Sequence, residues 1–183
     1  MARLAICLFG PFRVTLEGRP AAAFESDKVR ALLAYLASQP GIPHRREKLA
    51  GLLWPDWPEA AARANLSRAL SNLRHAIGER DAAAPVLSAS WQAVALNTSP
   101  DIWIDVAEFQ RWTEEDPDPA GNEEGRITRL VSAVSLCRGT FLEGFTLPGC
   151  PEFEEWALFE GERLQRLALN QLERLSRWWE AHG

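Results

Sequence analysis

The sequence predicts an α+β unit over residues 1–98 followed by an all-α portion over residues 101–183. Strand-like alternation is confined to the first 25 residues and to residues 86–96, while helical spacing governs most of the remainder. The charge balance changes sign near the same boundary. Residues 1–100 carry 12 Lys and Arg against 8 Asp and Glu, a balance of +4; residues 101–183 carry 8 against 17, a balance of −9. The front half tolerates a polyanion and the back half repels one, so the overall charge of −5 does not argue against nucleic acid.

Composition narrows the class further. With 46% hydrophobic and 25% charged residues the chain is of globular type, not disordered or fibrous. The apolar run at residues 4–9 is too short for a signal-peptide core, and no stretch approaches the roughly 18 apolar residues of a membrane span. Cys7, Cys137 and Cys150 form no C-x-x-C pair, so neither a disulfide framework nor a zinc ribbon is expected. A cytoplasmic protein without cofactor or metal is the expectation.

Residues 4–9, 12–16 and 21–24, separated by Gly10-Pro11 and Gly18-Arg19-Pro20, predict a small antiparallel sheet. Ser26 is placed to cap a first helix. Asp27 suits its positive end, and Val29, Leu32, Leu33 and Leu36 give it one buried face before Gln39-Pro40-Gly41 stops it. A second helix is expected over residues 45–54 with Leu49, Leu52 and Leu53 inward. Arg45, Arg46 and Lys48 stand at its start, where cations oppose the helix dipole and are not placed for stability. His44 reads as a weak cap or a phosphate donor. Trp54 is expected in the core and Trp57 on the surface.

The third helix is the strongest local signal. Asp56 and Glu59 form an expected capping pair, with Pro58 in the first turn. From there to Gly78, Ala62, Leu66, Ala69, Leu70, Leu73 and Ile77 make one apolar stripe, and Ala61, Ala64, Asn65, Arg68, Ser71, Asn72 and His75 gather on the other face. Residues 86–87 and 93–96 then predict a hairpin. A sheet, three helices and a terminal hairpin make a winged helix-turn-helix.

Beyond residue 100, Val106, Phe109 and Trp112 mark a short helix, residues 114–125 an acidic Pro/Gly loop, and Ile127, Leu130, Val131 and Val134 another helix. A turn-rich segment at 139–144 leads to one long helix over residues 151–181. Its inward positions are expected at Phe153, Trp156, Leu164, Leu167, Leu172, Leu175 and Trp178 or Trp179. Its last turns have no later element to cover them, so the expectation is a piece of a larger protein or an oligomer contact.

An α-helix fits the major groove of B-DNA, where Arg reaches guanine, Asn pairs with adenine and small side chains allow close approach. Flanking cations contact phosphates, which position the protein without reading sequence. The candidate DNA-binding residues are therefore Arg45, Arg46, Lys48, Ala64, Asn65, Arg68, Ser71, Asn72, Arg74 and His75. The same face also reads as an ordinary solvated helix surface; the charge split and the hairpin favour DNA. Enzyme readings find no support, because no nucleophile elbow, P-loop, metalloprotease or dinucleotide motif occurs. The carboxylates at Glu152, Glu154, Glu155, Glu160 and Glu162 read as a solvated helix face.

The segments LFGPFRVTLEGRP at residues 8–20, EKLAGLLWPDWPEAAARANLSRALSNLRHAIG at 47–78, IWIDVAEFQRW at 102–112 and CRGTFLEGF at 137–145 resemble the Streptomyces antibiotic regulatory protein family and related regulators with a bacterial transcriptional activator domain. The resemblance implies an OmpR-type winged helix followed by part of an all-α, tetratricopeptide-like activator domain. It further implies side-by-side protomers, a possible homodimer, on direct repeats in double-stranded DNA, and recruitment of RNA polymerase. It places Ala64, Asn65, Arg68, Ser71, Asn72 and His75 toward the groove and Arg74 on the backbone. Two features depart from the family pattern. The expected wing, residues 86–96, carries no Lys or Arg, and the family's activator domain continues through several more helices. The competing expectation is a protein-interaction module, the front piece of a larger signalling ATPase, whose winged helix does not bind DNA.

Overall fold

The computed structural model describes residues 2–82, 84–99, 101–114 and 123–182. Strands β1 (Leu4–Cys7), β2 (Arg13–Leu16) and β3 (Arg19–Pro20) form an antiparallel ladder, with Ile6 facing Val14 and Leu16 facing Arg19. The third strand is thus shorter and earlier than the expected segment at 21–24. Helices α1 (Asp27–Ser38), α2 (Arg46–Leu53) and α3 (Glu59–Ala76) follow. Between α1 and α2 lies a two-residue strand, β4 (His44–Arg45), which the sequence pattern does not announce. It pairs with β6 (Ala93–Leu96), which pairs in turn with β5 (Leu87–Ala89), giving a small antiparallel sheet in the order β4-β6-β5.

Just past the expected boundary, β7 (Ile102–Ile104) runs parallel to β1 and completes the first sheet in the order β3-β2-β1-β7. Helices α4 (Asp105–Glu114), α5 (Glu123–Leu136) and α6 (Pro151–His182) make the helical part. The expected acidic loop falls mostly outside the described residues, and its last positions already belong to α5.

Helix α1 is the centre of the molecule. Every residue from Ala31 to Ser38 is buried, against the expectation of a single buried face. Ala31, Ala34 and Ala37 let neighbours approach on the side that Leu32, Leu33 and Leu36 do not occupy. One of those neighbours is α6, whose Trp156 lies 4.7 Å from Tyr35 and 5.2 Å from Phe153. The aromatic contacts continue through Phe145 and Phe12 to Phe24. Core side chains of both parts join one apolar cluster, from Ile6, Leu8 and Leu66 through Phe109 to Phe153 and Leu164. Burying each such large side chain contributes about 1.5–3 kcal/mol.

Two polar features fasten the parts. Asp105, buried at the start of α4, accepts hydrogen bonds from the backbone N–H groups of Leu8 (2.8 Å), Phe9 (2.9 Å) and Val106 (2.7 Å). Burial, the largest influence, raises its carboxyl above the usual aspartate range against the opposing effect of these bonds and of Arg138. Nearby, Gly10 donates its N–H to Thr140 O at 2.8 Å, and the Gly10 and Gly139 backbones are so close that a Cβ on Gly139 would lie 2.8 Å from Gly10 Cα. Gly10 has φ +81°, which favours glycine.

The long helix differs in detail from its sequence pattern. Phe153, Leu164 and Leu175 are buried as expected, but Leu172 is exposed, and Glu160 and Gln171 take inward positions instead. Glu160 is held by Arg163, and Gln171 accepts a hydrogen bond from Arg174.

Candidate nucleic-acid interface

Helix α3 forms where Ala and Leu dominate and no Gly or Pro interrupts the run. It begins at Glu59, with Pro58 just outside it, and neither Asp56 nor any other described side chain caps its N-terminus. The expected capping pair is therefore not formed; Glu59 instead pairs with Arg63 at 3.2 Å. Ser26 likewise lies at the head of α1 without a side-chain capping bond.

The apolar stripe of α3 faces α1 and α2, leaving Ala64, Arg68, Ser71 and His75 exposed along one line of the helix. Asn65 is half-buried beside them. Arg68 has no ion pair or hydrogen bond to a described side chain, so its guanidinium is available to a ligand. Arg63 is neutralised by Glu47 and Glu59.

Two of the expected residues point elsewhere. Asn72 is only 7% exposed: its Oδ1 accepts from Glu25 N at 3.1 Å and its Nδ2 donates to Ala23 O at 3.0 Å. The expectation that it reads bases is corrected here, because both ends of the amide are committed to the segment entering α1. Arg74, half-buried, pairs with Glu79 at 2.8 Å across the end of the helix.

The basic residues before α2 divide in the same way. Arg45 and Lys48 are exposed, with the Lys48 ammonium 5.7 Å from the Tyr35 ring centre. Arg46 is engaged: its Nε donates to Ser90 O at 2.9 Å and its Nη1 to Ser67 Oγ at 3.3 Å. Its backbone N–H donates to Gln92 O at 2.8 Å. Arg46 thus ties the β5–β6 turn to α3. His44 neither caps α2 nor reaches the surface; it is buried in β4 with its ring 5.0 Å from Tyr35. Burial, the larger influence, and the nearby Lys48 ammonium both lower its pKa.

Trp54 is buried and Trp57 exposed, as their positions predict. Sequence reasoning missed Trp91. It is 82% exposed at the turn between β5 and β6, the most exposed large apolar side chain among the described residues. The available signal was a lone aromatic within Ser90-Trp91-Gln92, a polar turn.

Elsewhere, an apolar groove of about 320 Å³ runs between α6 and residues 137–141. Cys137 lines it, but burial and Asp105 push that thiol up to about 11, so it remains protonated at neutral pH and is a poor nucleophile. Among the described residues no group of His, Cys, Asp or Glu is arranged to hold a metal ion, and no helix is long and apolar enough to cross a membrane.

An α+β head with an exposed helix face, continued by a helical part, is an arrangement similar to that of a solved bacterial transcriptional regulator. The particular likeness is to EmbR. The chain is 29% identical over 143 residues to the transcriptional regulatory protein EmbR of Mycobacterium bovis and, to the same extent, of Mycobacterium tuberculosis; the match covers 77% of this chain and 37% of those proteins. The solved structure of Mycobacterium tuberculosis EmbR in complex with low affinity phosphopeptide superposes with a TM-score of 0.67 at 28% identity, covering 91% of this chain and 44% of that one. The chain therefore spans less than half the length of these relatives. A scan against protein-family models finds no match.

Proposed function

We propose that the chain is the DNA-binding front part of a cytoplasmic transcriptional regulator, not an enzyme, and that α3 reads the major groove of promoter DNA. In this reading residues 1–98 form an OmpR-type winged helix, with β5 and β6 as the wing. Residues 101–183 are the first stretch of a tetratricopeptide-like activator domain that contacts RNA polymerase while protomers lie side by side on direct repeats. The homology to EmbR supports regulation of transcription. The observation that carries the DNA assignment is the exposed line Ala64, Arg68, Ser71 and His75, with exposed Arg45 on β4 and Lys48 on α2, the helix that packs against α3, and the acidic helical part packed against α1 and α2. Arg68 is the base-reading cation, Arg45 and Lys48 contact phosphates, and Asn65 lies at the edge of the face.

Selection of bound duplexes from a random-sequence pool tests this. The wild-type chain enriches a defined motif, and Arg68→Ala relaxes one position of it at a cost of roughly 1–3 kcal/mol. Equal binding of selected and random duplexes refutes the proposal.

A further inference from the structure

We infer that two copies of the chain pair through α6, lying antiparallel, so that Leu172 and Trp179 of each enter the apolar groove beside residues 137–141 of the other. The inward side of α6 is taken up by Phe153, Glu160, Leu164, Gln171 and Leu175, all buried. About a third of a turn round from them a second apolar stripe stays exposed, formed by Leu158, Leu169, Leu172 and Trp179. Leu158, Gln165, Leu172 and Trp179 recur every seven residues, the repeat that keeps one side of a helix turned toward a partner helix along its length. The groove adjoins this stripe and shares Leu158 and Gln165 with it, while Ala157, Gly161 and Ala168 leave room for incoming side chains.

Charge selects the occupant and its direction. Residues 151–165 carry five Glu and one Arg, whereas residues 166–182 carry three Arg and two Glu. The two halves of α6 thus differ in sign, and a second copy of the same helix matches the first only when it runs the opposite way; a parallel pair would set acidic half against acidic half. The antiparallel register that places Leu158 against Trp179 of the partner subunit also places Gln165 against Leu172 of the partner subunit. It sets small Ala168 against Leu169 of the partner subunit at the two-fold axis, and brings exposed Glu162 within two residues of Arg177 of the partner subunit. Each copy therefore offers the same ridge and the same groove, as a two-fold contact requires. The pairing uses no residue of α3. It is also distinct from a side-by-side arrangement on direct repeats, which relates protomers by translation.

Sedimentation equilibrium of the whole chain across a concentration series, without DNA, tests this. A reversible monomer–dimer equilibrium is expected, with Leu172→Glu and Trp179→Glu each raising its dissociation constant about tenfold or more. Both positions are exposed, so thermal melts of the two variants in the monomeric range should match wild type. Gln165→Leu supplies the missing apolar group of the repeat and should tighten the dimer about tenfold. Orientation is read by disulfide trapping: Glu155→Cys mixed with His182→Cys should cross-link, whereas Glu155→Cys alone should not, its two copies standing about 40 Å apart at 1.5 Å per residue. A chain that stays monomeric at every concentration overturns the inference and leaves this face to another partner. A dimer that ignores Leu172→Glu, Trp179→Glu and Gln165→Leu, or one trapped through Glu155→Cys alone, overturns it as well.

Discussion

Asn72 separates a reading side chain from a structural one, and Asn72→Ala makes the difference measurable. Its amide holds Ala23 and Glu25, which flank Phe24 at the entrance to α1, and Phe24 packs on the core. Two hydrogen bonds at net worths of about 0.5–1.5 kcal/mol each, one of whose partners is rehydrated at exposed Glu25, put the cost at about 2 kcal/mol. For a chain of this size that corresponds to a fall in Tm of roughly 4–8 °C. Urea denaturation gives the first number and a thermal melt the second. DNA selection, run where both proteins are folded, should return the same motif for Asn72→Ala as for wild type. A variant with wild-type stability and an altered preference at one base pair would show that the amide swings out on DNA and that its bonds to Ala23 and Glu25 are incidental.

Two further outcomes concern the contacts between the parts. Asp105→Asn places a donor against one of the N–H groups the carboxylate accepts, costing about 1–3 kcal/mol. Because the folded pKa of Asp105 is raised, its titration favours folding below the ordinary aspartate range, and that contribution is lost as pH rises through the folded value; the stability gap to the non-titrating variant should narrow with rising pH, and a widening gap contradicts the assignment. Gly139→Ala forces a methyl to within 2.8 Å of Gly10 Cα, where the hydrogen bond to Thr140 prevents retreat, and should destabilise by about 1–3 kcal/mol in urea; an unchanged midpoint would mean the two backbones are not held together.

What could be read from the sequence follows from how far each signal reaches along the chain. The apolar stripe of α3 is local and strong, and its exposed line was legible down to Ala64, Arg68, Ser71 and His75. Asn72 was not, for a geometric reason. It shares a meridian with Asn65, seven residues earlier, and a helical projection cannot tell the two apart. They differ in position along the axis, because residues 23–25 cover only the C-terminal half of the helix. Strand β7 was missed because Ile-Trp-Ile is too short to show a period, and its partner β1 lies almost a hundred residues away. The second buried face of α1 did leave a trace: residues 31–37, ALLAYLA, lack any charge, as a helix covered on all sides requires.

That central helix also bears on the relation between the two halves. The proposed division near residue 98 is one of role, because the contacts that complete the N-terminal sheet come from beyond it. Strand β7 supplies the fourth strand, Asp105 satisfies the N–H groups of Leu8 and Phe9, and Trp156, itself against Phe153, packs on Tyr35 of α1. Detaching the acidic half would expose those residues together at about 1.5–3 kcal/mol for each large side chain, beyond what electrostatic attraction to α3 through water could return. The negative charge of the helical part is therefore held in a fixed place, with the exposed line of α3 left clear. An acidic region that cannot swing onto the cationic face need not be displaced before DNA is bound, and it helps to orient the chain, with α3 toward the polyanion and α6 away from it.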